Sequence, residues 1–150
     1  MTVLIFFHVL AMFIAFALTT GTGIYLAQII QTDDVGIIRA ATRVNRRLSM
    51  VGGISLFIGL ILGFAIAGQS GFSMTSTWLI VTYVCVVILL ILAFGVLMPA
   101  VARLSAAAEA SGAQPSAELK ALLANPAIRA AGPLAGLMWL VIIAMMVLKP

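Results

Sequence analysis

Few side chains in this sequence can do chemistry. Among 150 residues there is one histidine, His8, one cysteine, Cys85, and only four acids. His8 lies in the apolar run from Val3 to Ile30. An ionisable side chain inside a membrane-length apolar segment is a functional candidate by default. At helical spacing it shares a face with Met12, Ala15 and Thr19. One role for it is axial ligation of iron in a b-type haem, with Met145 or Met146 as the second ligand. A bis-histidine haem within one chain is excluded because there is no second histidine. The alternative is a neutral histidine hydrogen-bonded to a neighbouring helix near the membrane boundary.

The remaining candidates read as structural. The eight methionines carry soft thioethers of the kind that bind copper(I). They are scattered and form no M-x-x-M cluster, which fits packing better. Thr19, Thr20 and Thr22 line up as a polar path for a small solute, although such hydroxyls commonly bond to their own helix. Cys85 has no partner cysteine and sits in an apolar run, where it packs as a small apolar residue. Asp33, Asp34, Glu109 and Glu118 all fall between apolar runs, so no intramembrane acid is available for proton or sodium coupling. There is no phosphate-binding glycine loop, no zinc-ligand spacing and no Ser/His/Asp set, so the balance is against an enzyme.

The elements that position these residues are membrane helices. The composition is 64% hydrophobic and 8% charged, against roughly 25% charged in a soluble domain. Lipid must therefore be the solvent for most of the chain, which leaves helices or a closed barrel. The apolar runs are continuous rather than alternating, so they read as helices. The expected fold is all-α: one four-span transmembrane domain over residues 1–150, with spans near 3–30, 51–68, 78–98 and 130–148. Asp33 or Asp34 can cap an amphipathic surface helix after the first span, either separate from the second span or continuous with it. Pro99 should close or kink the third span, and Ser116 and Asn125 should cap later helices. Trp139 sits near the middle of the fourth span, where it should pack in the bundle.

Charge placement gives the orientation. Arg39, Arg43, Arg46 and Arg47 sit together after the first span and read as topology signals in contact with lipid headgroups. They predict a bacterial inner-membrane protein with both termini on the external side. Nucleic acid is not an expected partner, since no aromatic residues interleave with the bases. Ala15-Phe16-Ala17 has the form of a signal-peptidase site, but no basic segment precedes it and the apolar run continues past it, so no cleavage is expected.

Small residues recur at four-residue spacing in two spans. They are Ala11, Ala15, Thr19, Gly23 and Ala27 in the first and Ser55, Gly59, Gly63 and Ala67 in the second. Gly132 and Gly136 form a further GxxxG pair in the fourth. Such faces let helix backbones approach closely. They predict packing within the chain, and against other membrane subunits or a second copy.

The order of features also resembles a known group. Phe6-Phe7-His8-Val9-Leu10 opens the first span, an arginine-rich loop follows at Arg39 to Arg47, and the chain ends Met145-Met146-Val147-Leu148-Lys149-Pro150. This resembles a bacterial family of integral-membrane proteins of unknown function. That family is distantly similar to the copper-resistance D proteins and the HemJ-type protoporphyrinogen oxidases, which implies a copper-related or haem role for the first-span histidine. Those groups carry a tryptophan and paired glycines after it, where this chain reads Met12-Phe13-Ile14-Ala15-Phe16. The reading that follows is a small accessory or packing subunit of a membrane assembly, with a haem-binding redox protein or a small-solute transporter as alternatives.

Overall fold

The structure is a computed structural model describing residues 1–32 and 34–149, apart from the side chain of Ile30. Asp33, the alternative cap, and Pro150 lie outside the described residues. Helix α1 (Thr2–Ile29) ends in a 3-10 turn at Ile30–Thr32. Asp34 then starts α2 by accepting the backbone N–H of Ile37 at 3.0 Å, which satisfies one of the donors a helix start leaves free.

Helix α2 runs unbroken from Val35 to Gln69. The amphipathic segment at 35–50 is thus the beginning of the second span, not a separate element. Nothing in Arg46-Arg47-Leu48-Ser49-Met50 breaks a helix, and Gly52 lies where packing against α1 holds the backbone. At about 1.5 Å per residue α2 is roughly 52 Å long, well beyond a hydrocarbon core of about 30 Å. Its arginine-bearing end therefore projects past the apolar region.

After a short connection, α3 (Thr77–Leu90) leads into a π-helical segment, Ile91–Leu97, and then α4 (Met98–Ala110). The sequence places a break at Pro99, and the structure puts the distortion just upstream. Proline has no N–H, and its ring clashes with the carbonyl four residues back. The wider turn relieves this, with the N–H of Met98 reaching Ala93 O five residues earlier. Helices α5 (Ala117–Leu123) and α6 (Pro126–Leu148) complete the chain. Ser116 caps α5 through Leu119 N at 3.2 Å, and Asn125 caps α6 through Ala127 N at 2.9 Å.

There are no strands among the described residues, and four helical stretches are long and apolar enough to cross a membrane. The core has two parts. Ala15, Leu56, Cys85, Val86, Leu89, Trp139 and Ile142 join all four stretches at membrane level. Phe16 meets the Trp139 ring edge-on at 5.7 Å. Lipid tails are as apolar as these side chains, so close fit rather than water exclusion holds this part. The other part collects Leu26, Ile29, Val35, Ile38, Ala41, Leu104, Ala107, Ala108 and Leu119 near the arginine-bearing end. Where water reaches, burying a leucine or isoleucine there stabilises by about 1.5–3 kcal/mol.

Candidate functional site: His8 and the glycine notches of α2

Helices α1 and α2 run antiparallel in tight contact, and the contact has a fixed register. Thr19 lies on Gly52, and seven residues back along α1 Met12 lies on Gly59, seven residues forward along α2. A further four residues each way bring His8 onto Gly63. A Cβ added at Gly52 would stand 3.0 Å from Thr19 Cγ2 and 3.2 Å from Leu18 Cβ. At Gly59 it would stand 2.5 Å from Met12 Sδ, and at Gly63 2.9 Å from His8 Cε1. Each glycine therefore makes room for one side chain of α1.

His8 is half-buried, and its Nδ1 lies 2.8 Å from the carbonyl oxygen of Gly59. A carbonyl only accepts, so Nδ1 carries the proton and donates. In the neutral ring Nε2 is then left with its lone pair. A histidine held by Nδ1–H to a backbone carbonyl, with Nε2 free to accept, has the arrangement of a metal-ligating imidazole. It is equally a complete interhelical hydrogen bond. The bond and the close contacts that hold His8 come from α2. Met145 and Met146 are half-buried on α6, and Met146 packs against the membrane-level core.

The small residues divide into those in contact and those outside it. Ala11 and Ala15 are buried and Thr19 is half-buried. A Cβ at Gly23 meets nothing within 4 Å, and Ala27 is exposed. Four residues advance a helix by about 400°, so a ladder at that spacing drifts about 40° per step. Thr22, Leu26 and Ile29 carry the buried face onward instead. On α2, Ser55 is half-buried and Ala67 buried, while Gly52 takes the next notch. Gly52 was not singled out from the sequence, although it stands seven residues before Gly59. A Cβ at Gly132 or Gly136 meets nothing within 4 Å.

The hydroxyls of Thr19 and Thr22 are used locally, while Thr20 borders a groove beside α6. Thr19 donates to Ala15 O at 2.7 Å, and Thr22 donates to Leu18 O. The four arginines differ in fate. Arg39 turns inward and donates to Ala108 O (2.9 Å from Nη2, 3.3 Å from Nε) and Ser111 O (3.1 Å), satisfying one carbonyl in the last turn of α4 and that of its C-cap. Arg43 pairs with Glu109 at 3.6 Å, both side chains well exposed. Arg46 and Arg47 are exposed. Two buried polar atoms find no partner among the described residues: Asn45 Oδ1 and Trp139 Nε1. Neither is visible from sequence, because an orphaned atom is a property of its surroundings.

No curated protein and no solved structure matches this chain. A family model described as a predicted integral membrane protein, DUF2269, matches residues 2–150. Four membrane-length helices in a sequence matched from nearly end to end place this chain in that family, and it belongs to the DUF2269 integral membrane proteins.

Proposed function

We propose that the chain is a non-catalytic subunit of the bacterial inner membrane, with both termini external, that assembles with other membrane proteins or with itself. The observation that carries this is the open small-residue face of α6. Gly132 and Gly136 have no neighbour within 4 Å of a Cβ position, and Gly136 borders a shallow groove of about 350 Å³ shared with Phe16, Thr20, Pro133, Leu137 and Leu140. Glycines four apart suit close approach of another helix, and no helix among the described residues fills the space. Extraction in mild detergent followed by crosslinking and mass measurement tests the reading. A stable higher-mass species that Gly136→Leu dissolves is the expected result. Recovery of the wild type solely as a monomer overturns it.

A second reading rests on His8. Its Nδ1–H is engaged by Gly59 O at 2.8 Å, which leaves the Nε2 lone pair as one axial ligand for a b-type haem. Met145 or Met146 would supply the other. The haem would supply one-electron chemistry, while the chain would orient the imidazole through the Gly59 carbonyl. Protein purified from haem-replete cells should show a Soret band that His8→Ala removes. A colourless preparation overturns this reading.

A further inference from the structure

Each of the four membrane-length stretches carries its weak point at one level, between the two parts of the core. Thr19 on Gly52 marks this level for α1 and α2. There α1 reads Thr19-Thr20-Gly21-Thr22-Gly23, and Thr19 and Thr22 donate back to Ala15 O and Leu18 O. Hydroxyls bonded in this way bend helices. On α2, Gly52 is followed by Gly53, where a Cβ would meet nothing within 4 Å. Phe64 stacks on Tyr83 and Phe57 meets Phe94, so the third stretch descends beside α2 as α2 rises. This brings the end of the π-helical segment Ile91–Leu97 and Pro99 near the level of Gly52. Thr20 shares a groove with Pro133 and Gly136, which sets the proline of α6 there too. Proline has no N–H, so Pro133 leaves the Arg129 carbonyl without its donor four residues on.

Packing thins at the same level. Among the described residues none is buried from Phe16 to Gly21, from Arg46 to Val51, from Leu90 to Pro99 or from Gly132 to Met138. Two open clefts lie here as well. One of about 420 Å³ separates α1 from α2 beside Leu18, Gly21 and Leu48, and the groove of about 350 Å³ separates α1 from α6. The parts on either side are each fastened internally. The membrane-level core joins all four stretches around Trp139. At the arginine-bearing end Leu26, Ile38, Leu104 and Leu119 are buried together, and Arg39 ties α2 to Ala108 O and Ser111 O.

We propose that this level is a hinge, on which the arginine-bearing end tilts as one body against the membrane-level bundle. Its pivot is the contact of Thr19 with Gly52, where α2 places no side chain between the two backbones. The bends fall at Gly53, along Ile91–Leu97 and at Pro133, and the two clefts widen and narrow with the tilt. Hinges are a few residues whose backbone angles absorb a motion, and π-helical turns inside longer helices recur at functional sites. Lipid tails are as apolar as the cleft walls, so a widened cleft fills at little cost.

Spin labels on the full chain in lipid nanodiscs, with Cys85→Ala as background, test this by double electron–electron resonance. Thr77→Cys with Ala121→Cys spans the hinge, and Gln28→Cys with Ala121→Cys lies within the arginine-bearing end; all three positions are exposed. The spanning pair should give a distance distribution about twice as broad as the internal pair. Gly53→Ala, Gly95→Ala and Pro133→Ala together should narrow the spanning distribution to the internal width. A Cβ at either glycine meets nothing within 4 Å, and the third change restores a backbone N–H, so this variant should melt no lower than its parent. Gly68→Ala, which also meets open space but lies far from the hinge, should leave the width unchanged. A spanning distribution as narrow as the internal one overturns the proposal. So does an internal pair as broad as the spanning one, a triple variant that keeps the full width, or equal narrowing by Gly68→Ala.

Discussion

His8 Nδ1 lies 2.8 Å from the carbonyl oxygen of Gly59, and the ring rests where Gly63 has no side chain. One glycine supplies the acceptor and the other the space. The carbonyl of Gly59 has two lone pairs, so it can serve its own helix and the imidazole together. The one histidine of the sequence is thus held by a backbone carbonyl and a missing side chain of α2.

Replacing His8 with alanine removes that bond and the ring that fills the Gly63 notch. A neutral intramolecular hydrogen bond contributes about 0.5–1.5 kcal/mol, so the variant should remain folded and lose stability in that range. Denaturant unfolding in detergent measures it. A loss far above this range would mean that His8 does more for the fold than hold α1 to Gly59.

Two adjacent glycines should respond in opposite directions. A Cβ at Gly52 meets Thr19 Cγ2 at 3.0 Å and Leu18 Cβ at 3.2 Å, atoms close to the backbone that cannot move aside, while at Gly53 it meets nothing within 4 Å. Gly52→Ala should force α1 and α2 apart and cost about 1–3 kcal/mol. Gly53→Ala should gain up to about 1 kcal/mol of helix propensity. Melting temperatures of the two variants in one detergent give the comparison, and equal shifts would refute the register.

Arg39 and Arg43 are four residues apart and carry the same charge, yet only Arg39 should matter for stability. Hydrogen bonds from a charged donor contribute about 1.5–3 kcal/mol, so Arg39→Met, which takes that donor from the carbonyls of Ala108 and Ser111, should cost in that range. Arg39→Lys should recover part, since an ammonium cannot reproduce the forked geometry. Arg43→Ala, which breaks an exposed pair of 3.6 Å, should cost no more than about 1 kcal/mol. Urea or thermal unfolding of the three variants ranks them.

Trp139 is 2% exposed, and its Nε1 donor has no partner among the described residues. Trp139→Phe keeps most of the packing against Phe16 and removes the orphan donor, so it should be close to neutral. Trp139→Ala should cost about 3–5 kcal/mol through the void it opens. A large loss from Trp139→Phe would show that the indole N–H is satisfied by something held in the bundle.

The sequence alone determines that this is a helical membrane protein, because apolar run length and the absence of charge are properties of the chain taken in order. It also determines the helix starts at Ser116 and Asn125 and narrows another to Asp33 or Asp34, places where one side chain can meet a backbone N–H two or three residues on. It points to Gly59 and Gly63 as small residues on one face, though not to what each would touch. Only the tertiary structure decides that Gly52 takes the next notch, that Gly23 and Ala27 rotate out of the contact, and that Gly132 and Gly136 have no partner among the described residues. A four-residue ladder drifts about 40° per step on a helix of 3.6 residues per turn, so which rungs meet a neighbour depends on the register. That register is set by Thr19, Met12 and His8 fitting into α2 together. Arg39 and Asn45 follow the same logic: where a side chain ends and whether its polar atoms are answered depend on elements far away in sequence, which come together only in the fold.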